Sequence, residues 1–393
     1  MTLLLALLAG ILPAQPNANA IQGRWHATVR NPAGDEVAFQ LELRKTRNGW
    51  QGTLINGQDR NASTSGTFDG AKLRLHFDYW DAVLDAALDK NQWQGSFTRT
   101  YRKTTLVRKF MAQREPIFKL SGKPTVNLTG EWLLDVNDDG KVSTYRAVLK
   151  QQNEKLEGIL LHVTGDSGAL TGYVEDNYAV LSRFDGIRAT LLKLRVSDGD
   201  SITGTMDSSK KVSGRRAPAA VGDESFTVTR MRNPSEPLRF SFPDLAGKPV
   251  ASTDERFRGK ALLVTIMGSW CPNCHDEAVF LIELYEKFRG RGLEIVALGF
   301  EYTGDAPRDV RQLKIFAQRY RVPYPVLYAG ATEDAEKTLL QIEGFGSYPT
   351  TILTGRDGKV RLIHTGFDGP ATGARFMQLK REITAAVEQA LGQ

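Results

Sequence analysis

The only two cysteines of this 393-residue chain stand together in Trp270-Cys271-Pro272-Asn273-Cys274. There is no wider disulfide framework to weigh: the two thiols either pair with each other or bind something. A Cys-x-x-Cys pair whose first member opens a helix suits thiol–disulfide exchange, because the free amides and dipole of a helix start favour the thiolate, which is the attacking form. Pro272 fits the first helical position, where its missing N–H costs nothing. Cys271 is then expected to be the exposed nucleophile, and Cys274, one turn in, the buried resolving thiol. Glu277 follows three residues later on the same helical face as Cys274. A carboxyl there could move the proton of the resolving thiol. The same spacing fits a solvated first-turn acid favoured by the helix dipole.

Two other chemistries compete for these residues. Cys271-Pro272-Asn273-Cys274-His275 matches the c-type haem attachment pattern. Against haem, an apolar strand over 261–267 runs into the motif through Gly268-Ser269-Trp270, and Met377 and His364, the candidate second ligands, have no supporting pattern. His275 then reads as a surface residue. Two cysteines and one adjacent histidine do not make a tetrahedral zinc site, so neither a metal nor a cofactor is expected. A second constellation, Gly346-Ser347-Tyr348-Pro349-Thr350-Thr351, precedes a β-hairpin. Pro349 is a candidate cis-proline whose turn would face the backbone toward the sulfur pair, an ordinary trans loop proline being the alternative. Trp270, Pro272 and Tyr348 flank the pair and are the candidate contacts to substrate.

The elements that must hold these residues alternate. After the shift in texture at Arg232-Asn233-Pro234, a short strand around Phe240-Ser241-Phe242 leads to the apolar strand at 261–267. A helix from 272 to about 289, a strand over 293–300, a helix near 306–320 and a strand over 325–328 follow. A helix near 333–341, a hairpin over 350–354 and 359–364, and a last helix over about 374–391 complete the order. Strands and helices alternating at these lengths give an α/β sheet with parallel strands.

The preceding region, 21 to 232, reads instead as short strands and turns. It repeats itself: Gly23-Arg24-Trp25 recurs as Gly130-Glu131-Trp132, and Gly66-Thr67-Phe68 answers Gly172-Tyr173-Val174. Gly52 and Gly158 stand about 106 positions apart, as do Gly66 and Gly172, the mark of a tandem repeat. Two all-β units, 21–118 and 119–232, are expected, each with seven or eight meandering strands forming a small barrel or sandwich. Trp50, Tyr79, Trp80 and Trp93 either line a pocket or pack a core. Asp135-Val136-Asn137-Asp138-Asp139-Gly140 imitates the start of a calcium loop, but Arg146 stands where the bidentate glutamate belongs, so it reads as a hairpin turn.

The chain is 41% hydrophobic and 24% charged with a net charge of +6, an ordinary balance for a globular protein. Its basic cluster, Lys210, Lys211, Arg215 and Arg216, reads as a solvated loop, and no nucleic-acid partner is expected. Residues 2–12 form an apolar run too short to span a bilayer, followed by Ala18-Asn19-Ala20, which resembles a signal-peptidase site. No positive residue precedes the run, and Ile11 stands where a lipidated cysteine would be. A signal over 1–20 and export to the periplasm or cell envelope, without stable membrane insertion, are expected; an apolar first strand or uncleaved anchor is the alternative.

From about Leu238 onward the chain resembles the TlpA/ResA-like branch of the thioredoxin superfamily. The resemblance is carried by the run from Gly268 through Cys271 and Cys274 to Glu277, by Tyr348-Pro349-Thr350, by the Gly-Phe-Asp-Gly-Pro-Ala-Thr-Gly run at 366–373, and by the extra helix near 306–320. It implies a thioredoxin fold over 233–393, with Cys271 and Cys274 as the redox pair, Pro349 as the cis-proline and Glu277 as the active-site glutamate. Thioredoxin itself has a buried aspartate six residues before its nucleophile; here Thr265 stands there, which leaves the proton work to Glu277. The resemblance further implies a reductant of protein disulfides, of the kind used in cytochrome c maturation or oxidase assembly, recharged by a membrane electron donor. Peroxiredoxins share the fold but place Pro and Thr where this chain has Val264 and Gly268. The Gly-x-Trp of each β-unit is similar to that of lipocalin-type barrels. It leaves open a cell-envelope binding protein with an accessory redox domain.

Overall fold

The computed structural model describes residues 20–118, 122–197, 199–218 and 229–392. The signal expected over 1–20 falls, apart from Ala20, outside the described residues. Among the described residues no helix is long and apolar enough to cross a membrane.

The N-terminal region is all-β. Nine strands run from Gly23–Arg30 to Thr104–Gln113, and nine more from Gly130–Asp138 to Lys210–Arg216, one or two beyond the seven or eight expected of each unit. In the second sheet Lys141–Gln152 pairs with Gly130–Asp138 on one side and Lys155–His162 on the other, which closes the ring. The first sheet draws its ends together where Gly49–Asn56 meets Ser65–Phe68, with Gly49 and Trp50 lying against Gly66. The approach is so close that a Cβ on Gly66 would lie 2.6 Å from Trp50 O, so only glycine fits there.

Each barrel is sealed at its first strand in the same way. Trp25 Nε1 donates to Ile21 O at 2.9 Å, and Trp132 Nε1 to Leu128 O at 2.9 Å. Arg114 covers the Trp25 ring at 3.9 Å and Arg216 the Trp132 ring at 4.4 Å. Each guanidinium donates to nearby carbonyls, Arg114 to those of Ala20, Gln22 and Arg24, Arg216 to those of Asn127 and Thr129. A planar five-donor head suits both tasks at once. The basic residues at 210–216 therefore form a strand, not the solvated loop expected from composition: Val212 points into the core between exposed neighbours. Asn137 and Gly140 make the hairpin turn where the calcium look-alike stood, the Gly140 amide donating to Asn137 Oδ1 at 2.7 Å.

Aromatic rings fill the first barrel, with Trp50, Phe68, Trp93 and Trp25 in edge-to-face succession, centroids 5.8 to 5.9 Å apart. Trp50 and Trp93 are thus core residues. Tyr79 and Trp80, on the 3-10 turn Asp78–Trp80, are buried in the same core cluster and also face His275 of the C-terminal domain. Phe184 of the second unit enters the first unit's core, 5.0 Å from Phe39 and 4.9 Å from Phe97. Asn56 clasps it on both sides, Nδ2 donating to Phe184 O at 2.9 Å and Oδ1 accepting from Phe184 N at 3.0 Å.

The C-terminal domain is a five-stranded sheet in the order Val326–Ala331, Leu293–Glu301, Ala261–Met267, Thr350–Thr354, Val360–Thr365. The first three run parallel, and Thr350–Thr354 runs antiparallel to both of its neighbours, Ala261–Met267 and Val360–Thr365. Helices α1 (Pro272–Phe288), α2 (Ala306–Tyr320) and α4 (Ala374–Gly392) pack one core against the sheet. The opposite face is covered by Leu238, Phe240, Val250, Phe257 and Leu339. The helix expected near 333–341 shrinks to one turn, α3 (Ala335–Thr338). The chain then leaves the helical path so that Ile342–Glu343 can pair with Arg230–Met231, a strand the sequence reading had put in the second β-unit.

Candidate active site

Helix α1 begins where the sequence placed it. Cys271 is its N-cap, Pro272 opens the first turn, and the Cys274 amide donates to Cys271 Sγ at 3.3 Å. The Cys271 thiol donates to Tyr348 O at 3.3 Å, and the Tyr348-Pro349 peptide that follows is cis. Both cysteines are free thiols. Burial, the nearby Cys271 sulfur and the charge of Glu277 all push the Cys274 thiol up.

Glu277 is no solvated first-turn acid. It is only 1% exposed and lies between two hydroxyls, Thr265 Oγ1 donating to Oε2 at 2.6 Å and Thr351 Oγ1 donating to Oε1. The threonines come from the strand before the motif and the strand after Pro349, so the central strand pair holds the carboxyl from both sides. Burial pushes it up to about 7, against the pull of the two donors. A carboxyl that titrates near neutrality beside a thiol held protonated is placed to accept that thiol's proton.

Two expectations fail. Cys271 is not exposed: it is 2% exposed, packed in a cluster with Phe367 and bordered by Trp270 and Tyr348. His275 is not a surface residue. Its Nε2–H donates to Ser269 O at 2.7 Å, while Nδ1 accepts from Tyr320 OH at 2.8 Å. Trp80 of the first barrel packs on the ring at a centroid distance of 4.4 Å, with Phe316 at 4.9 Å. Desolvation pushes the imidazole down to about 3, so it is neutral. Both ring nitrogens are engaged, and neither points outward to serve the haem pattern. Nothing in the motif's spacing could reveal this, since the covering residues Trp80, Phe316 and Tyr320 all lie on other elements. Met377 is exposed on α4, and His364 lies on the far hairpin strand, Val360–Thr365.

Sequence reasoning also missed Glu301. It is fully buried at the end of Leu293–Glu301, accepts the Ser269 amide at 2.7 Å, and stands 3.7 Å from the Arg308 guanidinium. Burial pushes it up to about 8. It anchors the turn that delivers Cys271, and a charged residue closing a wholly apolar run was the available signal. Trp270 is held beside it, Nε1 donating to Phe300 O at 3.0 Å with its ring against Tyr302 and Tyr348.

The β-units reach this site from two directions. From the first barrel, Thr100 O accepts from Tyr302 OH at 3.1 Å and Asp81 pairs with Arg308 at 2.8 Å. From the second barrel, the loop at 162–168 lies against Asn273, Ser347 and the segment at 366–369. Asn273 Nδ2 donates to Asp166 O at 3.2 Å and to Phe367 O at 2.9 Å.

Residues 236–363 match a family model described as the AhpC/TSA family. The thiol-disulfide oxidoreductase ResA of Geobacillus thermodenitrificans is 32% identical over 127 residues, 32% of this chain and 66% of that protein. ResA of Bacillus anthracis is 31% identical over 131 residues, 33% of this chain and 68% of its own length. The matched stretch thus spans about two thirds of these relatives. A thioredoxin-family thiol:disulfide interchange protein of Chlorobium tepidum TLS aligns with a TM-score of 0.32 at 22% identity, covering 41% of this chain and 99% of that one.

Proposed function

The chain belongs, through its C-terminal domain, to the ResA family of thiol-disulfide oxidoreductases, and we propose that it is an exported reductant of protein disulfides. The observation that carries this reading is the placement of Glu277 between Thr265 and Thr351 behind a Cys271–Cys274 pair at a helix start. The Cys271 thiolate attacks one sulfur of a substrate disulfide. A mixed disulfide forms, and the other substrate sulfur leaves as a thiolate that takes up a proton. Glu277 accepts the Cys274 proton; the Cys274 thiolate then attacks Cys271 Sγ, forming the intramolecular disulfide and releasing the second substrate thiolate. Two electrons have passed to the substrate, and a dithiol donor at the membrane restores the pair. Trp270, Pro272, Tyr348 and Pro349 form the rim that a substrate meets.

On this reading residues 1–20 direct export, 21–118 and 119–232 are tandem copies of one β-unit, and 233–393 is the redox domain. The shared Trp–Arg seal of the two barrels supports the tandem copies. The family likeness supports a role of the type found in cytochrome c maturation or oxidase assembly. The test is the reduction potential of the Cys271–Cys274 pair. A value near thioredoxin's, about −270 mV, is expected, and one near the DsbA value of about −120 mV overturns the reducing direction.

A second reading, a cell-envelope binding protein with an accessory redox domain, is favoured by one feature. A cleft of about 580 Å³ opens where the three units meet, floored by Val148, Ile159 and Leu161 and walled by Gln58, Thr372 and Arg375. Its size and lining fall in the range of small-ligand sites.

A further inference from the structure

The loop at 164–168 of the second β-unit is seated on three segments around Cys271, at Asn273, at Ser347 and at 366–369. Ser347, next to Tyr348-Pro349, donates through Oγ to Thr164 O at 3.3 Å. Asn273, inside the Cys-x-x-Cys motif, donates to Asp166 O. The Gly369 amide donates to Asp166 Oδ2 at 2.6 Å, while Asp166 Oδ1 holds the loop's own Gly168 amide at 2.6 Å.

The fit is tight enough to dictate residue type. Gly165 has φ +113°, and a Cβ there would lie 2.5 Å from Asn273 Nδ2 and 2.7 Å from Phe367 O. Across the contact, Gly366 has φ +80°, and its Cβ would lie 2.6 Å from the Thr164 carbonyl carbon. Two glycines in left-handed backbone, back to back across a domain boundary, bring main chain against main chain.

The loop is also braced from behind. Asp59 of the first barrel accepts the Ala169 amide at 2.8 Å and pairs with the buried Arg183, which donates to Ala169 O at 3.1 Å. The segment is also tied to its own barrel, where Gly165–Asp166 pairs as a two-residue edge strand with Leu161 and His162 and the Ser167 amide donates to Leu160 O at 2.9 Å, so the part that can lift is a hairpin tip. With the loop down, Cys271 is 2% exposed.

We propose that the loop at 164–168 is a specificity-determining cap on the redox groove. It occupies the place beside Asn273, Ser347 and Phe367 that a polypeptide must take to bring its disulfide to Cys271. A protein disulfide is reduced only when the loop lifts, whereas a small disulfide needs far less room. The β-units thereby choose among substrates without touching the sulfur chemistry. This inference rests on thiol–disulfide exchange at Cys271.

The test compares two substrates on the full chain: insulin, and the small aromatic disulfide 5,5′-dithiobis(2-nitrobenzoate). In Asp166→Ala the loop loses a charge-assisted bond, and its open fraction should rise by about tenfold. Insulin reduction should rise by about that factor, while reduction of the small disulfide stays within about twofold. Gly165→Ala, which cannot seat the loop, should do the same. Equal changes on both substrates, or slower insulin reduction, overturn the cap while leaving the exchange reading intact. Turnover of neither substrate by the unaltered chain overturns the exchange reading and the cap with it.

A second measurement does not depend on how these variants fold. Hydrogen exchange of residues 162–170 should speed up when Cys271 of Cys274→Ser is trapped in a mixed disulfide with a peptide. Unchanged protection with the peptide in place overturns the proposal.

Discussion

The second barrel and the redox domain both bury polar as well as apolar side chains and use the burial for opposite ends. The barrel interior is Leu, Val, Ile, Ala and Met around a single Trp132. Its buried polar residues Asp166, Ser182, Arg183 and Asp185 lie at the junction with the other units. The redox domain instead places Glu277 and Glu301, with Thr265 and Thr351, beneath the turn that carries its nucleophile. Desolvating an acid is costly in either setting. Only in the second does that cost deliver something, namely a carboxyl that changes charge near neutrality. One region spends its interior on shape, the other on proton affinity.

Five substitutions break or sharpen that contrast. The largest effect is expected from Cys271→Ser, which should abolish reduction of insulin and of a small disulfide alike while leaving the melting temperature nearly unchanged; residual turnover in a coupled assay would refute the nucleophile assignment. Trp132→Ala should cost about 3–5 kcal/mol of stability by emptying the barrel core. Denaturant titration measures that loss, and the pH profile of exchange should keep its shape. Glu277→Gln should slow the second thiol attack by about 10²-fold and remove a rate step near pH 7, read by stopped flow. It also carries a stability signature. A carboxyl raised to about 7 in the fold binds protons that the unfolded chain has lost, so the native protein should lose stability as pH climbs from about 4.5 to 7. The glutamine variant should show a smaller fall, since Glu301, also raised by burial, still contributes to it. The smallest effect belongs to Arg216→Ala, about 1 kcal/mol from the cation–π cover and its carbonyl bonds, with Arg114→Ala alike in the first barrel.

What could be read from the chain was what is local. Helix period alone put Glu277 on the face of Cys274, and a strand-turn-helix order made Cys271 a cap. Alternation and repetition gave two all-β units with a Gly-x-Trp on the first strand of each. The failures share one cause. The burial of Cys271 and His275 is produced by residues far away in the chain: Trp80 packs on His275, and Tyr348 and Phe367 close on Cys271. A periodic pattern records which face of an element is apolar, not which other unit will cover it. The helix near 333–341 failed for a related reason. Ile342–Glu343 is drawn into pairing with Arg230–Met231, and a strand partner outside the segment outweighs its own helical preference.

The insertion of Phe184 into the first barrel bears on how the molecule can come apart. With that ring set between Phe39 and Phe97, and its backbone held by Asn56, the first barrel does not own a complete interior. The pair should melt as one cooperative block, giving a single calorimetric transition where two independent modules would give two. Excising the second unit would leave a hole of aromatic size in the first, so the smallest stable fragment of this region is the pair.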